Sequence, residues 1–503
     1  MQNYNKYFIL SVDETHLTKY SNLEAVMYKK SFFTILVLII FTQLNSMFAG
    51  TNFDEFFVDK TMRVDYFHTG TKGFQVISLD KVYEEPAVLT HDKKMWAGNK
   101  NNLIDTLNLG KYLVKVIDVK TNQIIYSRGF CSLFGEWETT GEAEKGIYRT
   151  FHESVLFPFP KEKIQMIIAV RDKENYFNNI FSTIIEPNSR FVNREKHIQP
   201  YKVNSVFESG DSHKKVDLVI LGDGYSKKEM EKYKKDVKHF TDELFSSTPF
   251  NKDKFNVWYI ETPSQDSGID EPRKNIWRNT MFECSYNSFD SPRYVLTFKN
   301  KTIRDVASLV PYDQIYIIVN SERYGGGGIF NLYSTCYSTD KGEKSYWWPD
   351  YVFVHEFGHA FGGLGDEYYS SSVAYNDFYP LGVDPWEPNV GIVKDGHIKW
   401  EYMMEKGTPI PTPWGKAKYD SLGNVLRTLD RSSEQYQKVT KERKQLFNNQ
   451  KYAGKVGAFE GSGYASKGLY RPYLDCRMFS KSLVEFCPVC QKAIERVINF
   501  QTR

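Results

Sequence analysis

Apolar and polar positions in the first part of the chain alternate in short runs that predict β-strands. The stretch YLVKVIDVKTNQIIYSRGF places two such runs around a polar turn at residues 120–123, and KIQMIIAVRDKENYFNNIFSTII repeats this arrangement around residues 172–175. The runs are rich in β-branched and aromatic residues, which are enriched in strands, and no amphipathic helix of useful length interrupts them. We therefore predict an all-β sandwich over residues 51–197.

The pattern changes to alternating strands and helices in the C-terminal part. The segment VDLVILGDGYSKKEMEKYKKDVKHF contains an apolar run at residues 216–221, a glycine turn, and a helix start with the capping-box pair Ser226 and Glu229. Two further strand-like runs follow, FNVWYIET and QIYIIVNS. This order predicts an α/β domain with a mixed, mostly parallel sheet over residues 198–503. Apolar residues at helical spacing would form the buried face of the first helix: Met230, Tyr233, Val237, Phe240 and Leu244.

Two other segments predict no chemistry. The glycines at residues 325–328 predict a flexible loop leading into a short strand, and they do not resemble a phosphate loop because no Lys-Ser/Thr pair follows. The polar segment at about residues 425–456 predicts a solvated surface helix or insertion.

The N-terminus has the layout of a secretory signal peptide. From Met27, two lysines precede an apolar run at residues 32–41 and then small residues, so we predict a signal peptide at residues 27–50. The apolar run is short for a bilayer span, which makes a retained anchor the less favoured alternative. The polar residues 1–26 suggest a translation start assigned too far upstream, and the absence of a cysteine before Cys131 argues against a lipoprotein. We expect a secreted or cell-envelope protein without stable membrane insertion.

Composition supports a folded protein of several domains. The chain has 503 residues, of which a high share, 16%, are aromatic and 25% are charged, which is close to the average for globular domains. Its formal net charge is only +3, which gives no reason to expect nucleic acid as a partner. The sequence does not indicate an oligomeric state.

The six cysteines predict disulfides if the protein is exported. We expect one bridge between Cys284 and Cys336 and another from Cys476 to either Cys487 or Cys490. The CPVC at residues 487–490 could instead be a redox or zinc-binding pair, but no second CxxC accompanies it. Cys131 and Trp137 are expected to be core residues.

The segment YVFVHEFGHAFGGLGDEYY carries the strongest chemical signal in the chain. His355 and His359 are four residues apart, so on a helix they project from one face and can bind one zinc ion. Glu356 lies beside the first histidine and could take a proton from an attacking water as a general base. The alternative is a helix whose histidines are only core or surface residues.

The residues around this motif favour a metal site. Pro349 suits the first helical turn, and the glycines at residues 362–363 would end a helix of about 12 residues. Directly after this break, Asp366 and Glu367 could each supply an oxygen ligand. A catalytic zinc needs three protein ligands and one open position, and this stretch contains enough ligands.

Several segments of the sequence, this motif among them, together resemble the M64 family of metallopeptidases, named after an immunoglobulin A peptidase. The resemblance rests on HEFGHAFGGLGDEY, on GTPIPTPW and FEGSGY, and on LYRPYLDCRM with FCPVCQKAI near the C-terminus. KTMRVDYFHTG and NNLIDTLNLGKYLVKV resemble the companion domain of that family. The resemblance implies a secreted zinc endopeptidase with a zincin-like, metzincin-like catalytic domain.

Carried over to this chain, the resemblance makes His355 and His359 metal ligands and Glu356 the general base. In the related metzincin pattern HExxHxxGxxH or D, the third ligand position falls on Gly365, which has no side chain to bind zinc. Asp366 comes one residue later and is the favoured third ligand, with Glu367 as the alternative.

The same resemblance implies a methionine below the metal. Met478 is the candidate, with Met403 and Met404 as competitors whose simpler role is core packing. Four tyrosines are candidate oxyanion stabilisers that the sequence does not rank: Tyr368, Tyr369, Tyr464 and Tyr470.

The expected partner is a protein or peptide substrate, which includes host or glycosylated proteins. We expect an extended polypeptide to pair with an edge strand at about residues 329–334. Two other functional classes stay open: a non-catalytic surface binding protein with a structural zinc, and a metal-dependent amidase acting on non-protein amides.

Overall fold

The computed structural model describes residues 51–85, 95–195, 201–339, 347–369, 379–380 and 382–503. The predicted upstream extension and signal peptide lie outside these residues, as does the predicted domain boundary at residues 197 and 198. Residues 52–503 form one compact unit. No helix in the described ranges is both long and apolar enough to cross a membrane.

The N-terminal part contains two four-stranded sheets. Their strand orders are β5-β1-β2-β8 and β4-β3-β6-β7, and all neighbours are antiparallel except β2 and β8. Both predicted hairpins are present, as β3 with β4 and β6 with β7. The strands are β1 (Phe57–Thr71), β2 (Phe74–Glu84), β3 (Tyr112–Asp118), β4 (Ile124–Phe130), β5 (Arg149–Pro160), β6 (Ile164–Arg171), β7 (Phe177–Ile185) and β8 (Val192–Asn193).

Alternating side chains of the two sheets share one apolar core. In β3, buried positions alternate with partly buried ones, as expected for a strand with one face on the core. The core takes Val64 and Phe157 from one sheet and Val114 and Ile168 from the other. The strand-rich prediction is therefore confirmed, but three short helices make the region less than purely β: α1 (Phe53–Phe56), α2 (Leu133–Trp137) and α3 (Gly141–Glu144).

The C-terminal part is built on a six-stranded mixed sheet, as predicted. The order is β13-β14-β12-β10-β11-β9, with parallel pairs in the middle and an antiparallel pair at each edge. The strands are β9 (Lys202–Glu208), β10 (Val216–Asp223), β11 (Phe255–Glu261), β12 (Gln314–Asn320), β13 (Gly326–Ile329) and β14 (Tyr333–Ser338), and the helices among and after them are α4 (Met230–Ser246), α5 (Asn300–Ala307) and α6 (Trp347–Gly362).

Helix α4 forms where the capping signal and the apolar spacing predict it. The Ser226 and Glu229 capping box precedes it, and Tyr233, Val237 and Phe240 are buried as expected. The Phe240 ring stacks on Phe353 of α6 with 4.8 Å between ring centroids. This packing holds α6 against α4.

The C-terminal segment adds helices and a hairpin around the sheet. Surface helices α7 (Lys416–Thr428) and α8 (Glu434–Asn448) are largely exposed, which agrees with the polar segment predicted there. They are followed by the hairpin of β15 (Phe459–Ser462) and β16 (Ala465–Arg471) and by α9 (Pro488–Thr502).

The predictions for the glycine run and for the edge strand were both wrong. Three of the four glycines, at residues 326–328, belong to β13, which is the edge strand itself, whereas residues 330–332 form the turn into the interior strand β14. A Cβ atom on Gly328 would lie 2.2 Å from the carbonyl oxygen of Glu356, and one on Gly326 would lie 2.6 Å from Val352. The glycines are needed because β13 passes directly against α6.

The N-terminal part contacts the six-stranded sheet at the turn between β13 and β14. The Cys131 amide donates a hydrogen bond to the Phe330 carbonyl at 2.9 Å, and the Asn331 side chain donates to the Gly129 carbonyl at 2.7 Å. The end of β4 therefore lies beside the turn between β13 and β14.

Candidate metal centre

Helix α6 presents the two histidines, and a sharp reversal after it returns the acidic residues. The helix runs over 16 residues and ends at Gly362. Gly363 has a φ of +62°, in the left-handed region that favours glycine. Its amide donates to the His359 carbonyl at 3.1 Å, which closes the last turn. The following residues then pass back beneath the histidines.

Three ligand atoms converge in a near-equilateral triangle. His355 Nε2 and His359 Nε2 are 3.2 Å apart, and Asp366 Oδ1 lies 3.2 Å from the first and 3.3 Å from the second. Tetrahedral zinc with bonds of about 2.0–2.1 Å separates its ligand atoms by about 3.3 Å. Asp366 Oδ1 is buried and has no hydrogen bond of good geometry within the described ranges. The three residues therefore fit a metal ion.

Backbone carbonyls orient both imidazole rings. His355 Nδ1 lies 3.1 Å from the Arg477 carbonyl oxygen, and His359 Nδ1 lies 2.6 Å from that of Leu364. Because a carbonyl only accepts, each Nδ1 must carry the proton and donate it. This tautomer leaves the Nε2 lone pairs directed at each other and at Asp366, as metal binding requires.

The charges of the cluster are strongly coupled. Burial alone would lower the pKa of His359, but the adjacent Asp366 carboxylate outweighs it and raises the pKa to about 9. Burial would raise the pKa of Asp366, yet the two imidazoles hold it well below its ordinary value. A carboxylate ionised this firmly is a good ligand for a divalent cation.

Glu356 lies beside the cluster of the two histidines and Asp366, whereas the Glu367 side chain lies outside this cluster. A carboxylate oxygen of Glu356 is within 4.8 Å of a nitrogen of each histidine, and burial raises the pKa of this carboxyl group despite the histidines. Glu367 instead accepts hydrogen bonds from the Asn389 amide at 3.0 Å and from the Cys490 thiol at 3.2 Å. Of the two acidic residues that follow the helix, Asp366 is the one that faces the histidines.

Met478 lies below the helix at the level of the histidines. Its sulfur is 3.2 Å from the position that a Cβ atom on Gly358 would occupy, and the side chain is fully buried. Its neighbour Arg477 supplies the carbonyl that orients His355. Met403 and Met404 are partly buried and are not among the described residues that line the cleft.

The structure separates the four candidate tyrosines. Tyr368 and Tyr464 line the cleft, and the Tyr464 hydroxyl donates to Asp366 Oδ2. The Tyr369 hydroxyl donates to Asp420 at 2.6 Å, away from the histidines. Tyr470 does not belong to the described cleft lining.

Sequence reasoning missed several cleft residues, because nothing in their local pattern marks them. Arg293 donates to the Tyr368 hydroxyl at 3.2 Å, and burial together with Arg293 lowers the pKa of the nearby Lys481 to about 8. Cys131 and Glu136 bring the N-terminal part into the cleft wall. Trp137 is a core residue, as expected, whereas Cys131 is partly exposed.

The disulfide predictions were wrong. All six cysteines lie within the described ranges and all six are free thiols. Cys284 and Cys336 are buried separately in the core, whereas the sulfurs of Cys476 and Cys490 are 3.8 Å apart, well beyond the length of an S–S bond.

Comparison with protein families accounts for most of the chain. Residues 205–498 match the family described as IgA Peptidase M64, and residues 52–182 match the family described as Peptidase M64 N-terminus. A comparison with curated proteins gives no match. The first family match covers more than half of the chain and contains the histidines, Glu356 and Asp366. The chain therefore belongs to the IgA peptidase M64 family.

Proposed function

We propose that this protein is an exported, zinc-dependent endopeptidase with a zincin-like catalytic domain. The observation that carries the proposal is the triangle of His355 Nε2, His359 Nε2 and Asp366 Oδ1, with the Glu356 carboxylate beside it. Membership of a peptidase family supports peptide-bond hydrolysis as the reaction. Export rests on the signal-peptide pattern of residues 27–50.

The residues divide the chemistry between them. His355, His359 and Asp366 would hold the zinc ion, which supplies a Lewis acid that polarises the scissile carbonyl. Glu356 accepts the proton of the attacking water and delivers it to the leaving amine. Its raised pKa brings proton uptake closer to neutral pH, which suits both steps.

The edge strand β13 offers a place for an extended substrate. The amide and carbonyl of Gly326 point outward, because they bond to the Arg293 carbonyl at 3.1 Å and the Val295 amide at 3.2 Å. Strand groups alternate in direction, so the amide and carbonyl of Gly328 also point outward. Both glycines line the cleft. A polypeptide paired with Gly328 would pass close to Glu356 and the histidines.

This arrangement supports an extended protein segment as the substrate. Main-chain pairing requires an unfolded or extended protein segment, and Arg293 and Lys481 add positive charge to the cleft wall. We propose protein substrates, including host or glycosylated proteins, as the partner class.

The test measures zinc content and cleavage of denatured casein by the purified protein. Cleavage should stop with a chelator and return with zinc. Glu356→Gln should keep the zinc of the parent and lower the cleavage rate by about 10²–10⁴-fold, the usual contribution of a general base. His359→Ala should lose one zinc ion per chain relative to the parent.

The matched control is Glu401→Gln, an exposed carboxylate outside the cleft, which should cleave casein at the parental rate. The proposal fails if Glu356→Gln hydrolyses casein as fast as the parent while retaining its zinc.

A further inference from the structure

A second group of ligand-type side chains lies next to the cleft cluster. Glu367, Cys476, Cys487 and Cys490 bring one ligand atom each to within 4.8 Å of one another. We call them the cysteine cluster. All four are buried, with at most 3% of any residue exposed. They come from the turn after α6, from the loop after β16, and from the N-terminal end of α9.

The distances in the cysteine cluster fit a tetrahedral metal site. The Cys476 and Cys490 sulfurs are 3.8 Å apart, and the Cys490 sulfur is 3.2 Å from Glu367 Oε1. Zinc–sulfur bonds of about 2.3 Å at tetrahedral angles separate two sulfurs by about 3.8 Å, and a sulfur from a carboxylate oxygen by about 3.5 Å. The measured separations are close to both values.

Glu367 gives an independent indication that a cation belongs there. Its Oε2 atom is buried and has no hydrogen-bond partner in the described part of the chain. A buried carboxylate oxygen without a donor is costly unless a cation compensates it. Arg471 lies in the same region, but its guanidinium donates to the backbone carbonyls of Gly461 and Leu474 instead.

The surroundings hold these ligands as a metal site requires. The Asn389 amide group donates to both Glu367 Oε1 at 3.0 Å and the Gly365 carbonyl at 2.8 Å, and its oxygen accepts from the Gly365 amide. The Cys487 amide donates to the Cys476 sulfur at 3.2 Å. Hydrogen bonds of this kind orient ligands and stabilise their charge.

We propose that Glu367, Cys476, Cys487 and Cys490 bind a second zinc ion with a structural role. Thiolates are soft ligands that select zinc over calcium or magnesium, and a closed set of four protein ligands is typical of structural zinc. A disulfide is the competing state, but it can join only two of the three cysteines. It would leave the third cysteine as a buried thiol and the Glu367 Oε2 atom still without a hydrogen-bond partner among the described residues.

The second zinc would also position the catalytic residues. Glu367 follows Asp366 directly, and Cys476 precedes Arg477, whose carbonyl orients His355. The Glu367 amide donates to the Met478 carbonyl at 2.9 Å, so the two segments are already joined at this point. A zinc ion in the cysteine cluster would tie both segments to α9.

The decisive experiment counts zinc in the full chain by elemental analysis after gel filtration. The parent should carry about two zinc ions per chain, and a His355→Ala/His359→Ala variant should retain about one. Cys487→Ser/Cys490→Ser should also lose about one ion, whereas Cys284→Ser, a buried cysteine outside the cluster, should lose none.

Two further measurements leave all six cysteines in place and do not depend on the cysteine variants. Alkylation of the protein, unfolded in chelator without a reductant, should modify all six cysteines. Cobalt loaded into the His355→Ala/His359→Ala variant should show thiolate-to-metal charge-transfer absorption. The proposal is overturned if that variant binds no zinc, or if two of Cys476, Cys487 and Cys490 resist alkylation because they form a disulfide. Neither readout requires proteolytic activity, so failure of the proposed peptidase function would leave this result standing.

Discussion

The chain places two ligand clusters next to each other, and adjacent residues face different ones. Asp366 faces the histidines in the cleft, whereas Glu367 faces the cysteines in the core. The His359 side chain is 17% exposed, whereas Cys490 is fully buried. A catalytic zinc needs an open position for substrate, and a structural zinc needs a closed set of ligands. Access from solvent therefore distinguishes the roles proposed for two sites that are joined by adjacent residues.

Removal of each acidic residue alone should have the largest effect and tests the difference between the two clusters most directly. Asp366→Ala should lower kcat/KM for casein by at least about 100-fold, because even residues that only orient metal ligands contribute 10–100-fold to metal affinity. It should retain the zinc of the cysteine cluster. Glu367→Ala should lose that second zinc and unfold at a lower temperature. Zinc analysis, kinetics and thermal unfolding of both variants measure these effects.

The reverse pattern would exchange the roles of the two residues. If Glu367→Ala lost the zinc that depends on His359 while Asp366→Ala kept it, Glu367 would be the third catalytic ligand.

The second prediction concerns the rate of metal loss. A chelator with a colorimetric readout should remove the cleft zinc at least about tenfold faster than the zinc of the cysteine cluster, since a fully buried site releases its metal only when the structure opens. Mild denaturant should speed the slow phase. Release of both ions in one phase would contradict the difference in access.

The sequence predicted the cleft cluster much better than the cysteine cluster. His355 and His359 are one helical turn apart, so the period of the helix alone places them on one face, and Glu356 directly follows the first histidine. Asp366 and Glu367 were both candidates, and only the three-dimensional path after Gly363 shows which one turns toward the histidines. The spacing of residues along the chain does not predict that path.

The cysteine cluster and the glycine strand depend on long-range packing. Glu367 and Cys490 are 123 residues apart in the chain but 3.2 Å apart in space. A CxxC pair without a second pair gave no reason to look for a carboxylate ligand. Strands β10, β11 and β12 were predictable from their apolar runs, but three of the four residues of β13 are glycines and give no such pattern. Its glycines are required by the close approach of β13 to α6, and the periodicity of apolar residues does not predict that approach.

The third prediction tests whether the cleft cluster depends on that approach. Gly328→Ala would place a Cβ atom 2.2 Å from the Glu356 carbonyl and push β13 away from α6. Overpacking of this kind costs about 1–3 kcal/mol of unfolding free energy, and cleavage should fall as well. The zinc of the cysteine cluster should be retained. Denaturant unfolding and zinc analysis measure both effects.

Gly141→Ala is the control, because a Cβ atom there meets no atom within 4 Å. Its unfolding free energy should stay within about 0.5 kcal/mol of the parent. Equal effects of the two substitutions would show that the approach of β13 to α6 is not tight.

The smallest expected effect concerns the hydroxyl that holds Asp366. Tyr464 donates to Asp366 Oδ2, which leaves Oδ1 to face the histidines. Tyr464→Phe removes this bond and should weaken zinc binding in the cleft by about tenfold, the lower range for residues that orient metal ligands. Tyr369→Phe is a matched control, because its hydroxyl bonds to Asp420 outside the cleft. Competition with a chelator of known affinity measures both. Because Tyr464 contacts Asp366, only the faster of the two phases of zinc release should change. A change in the slow phase instead would mean that the two clusters do not bind their metals independently.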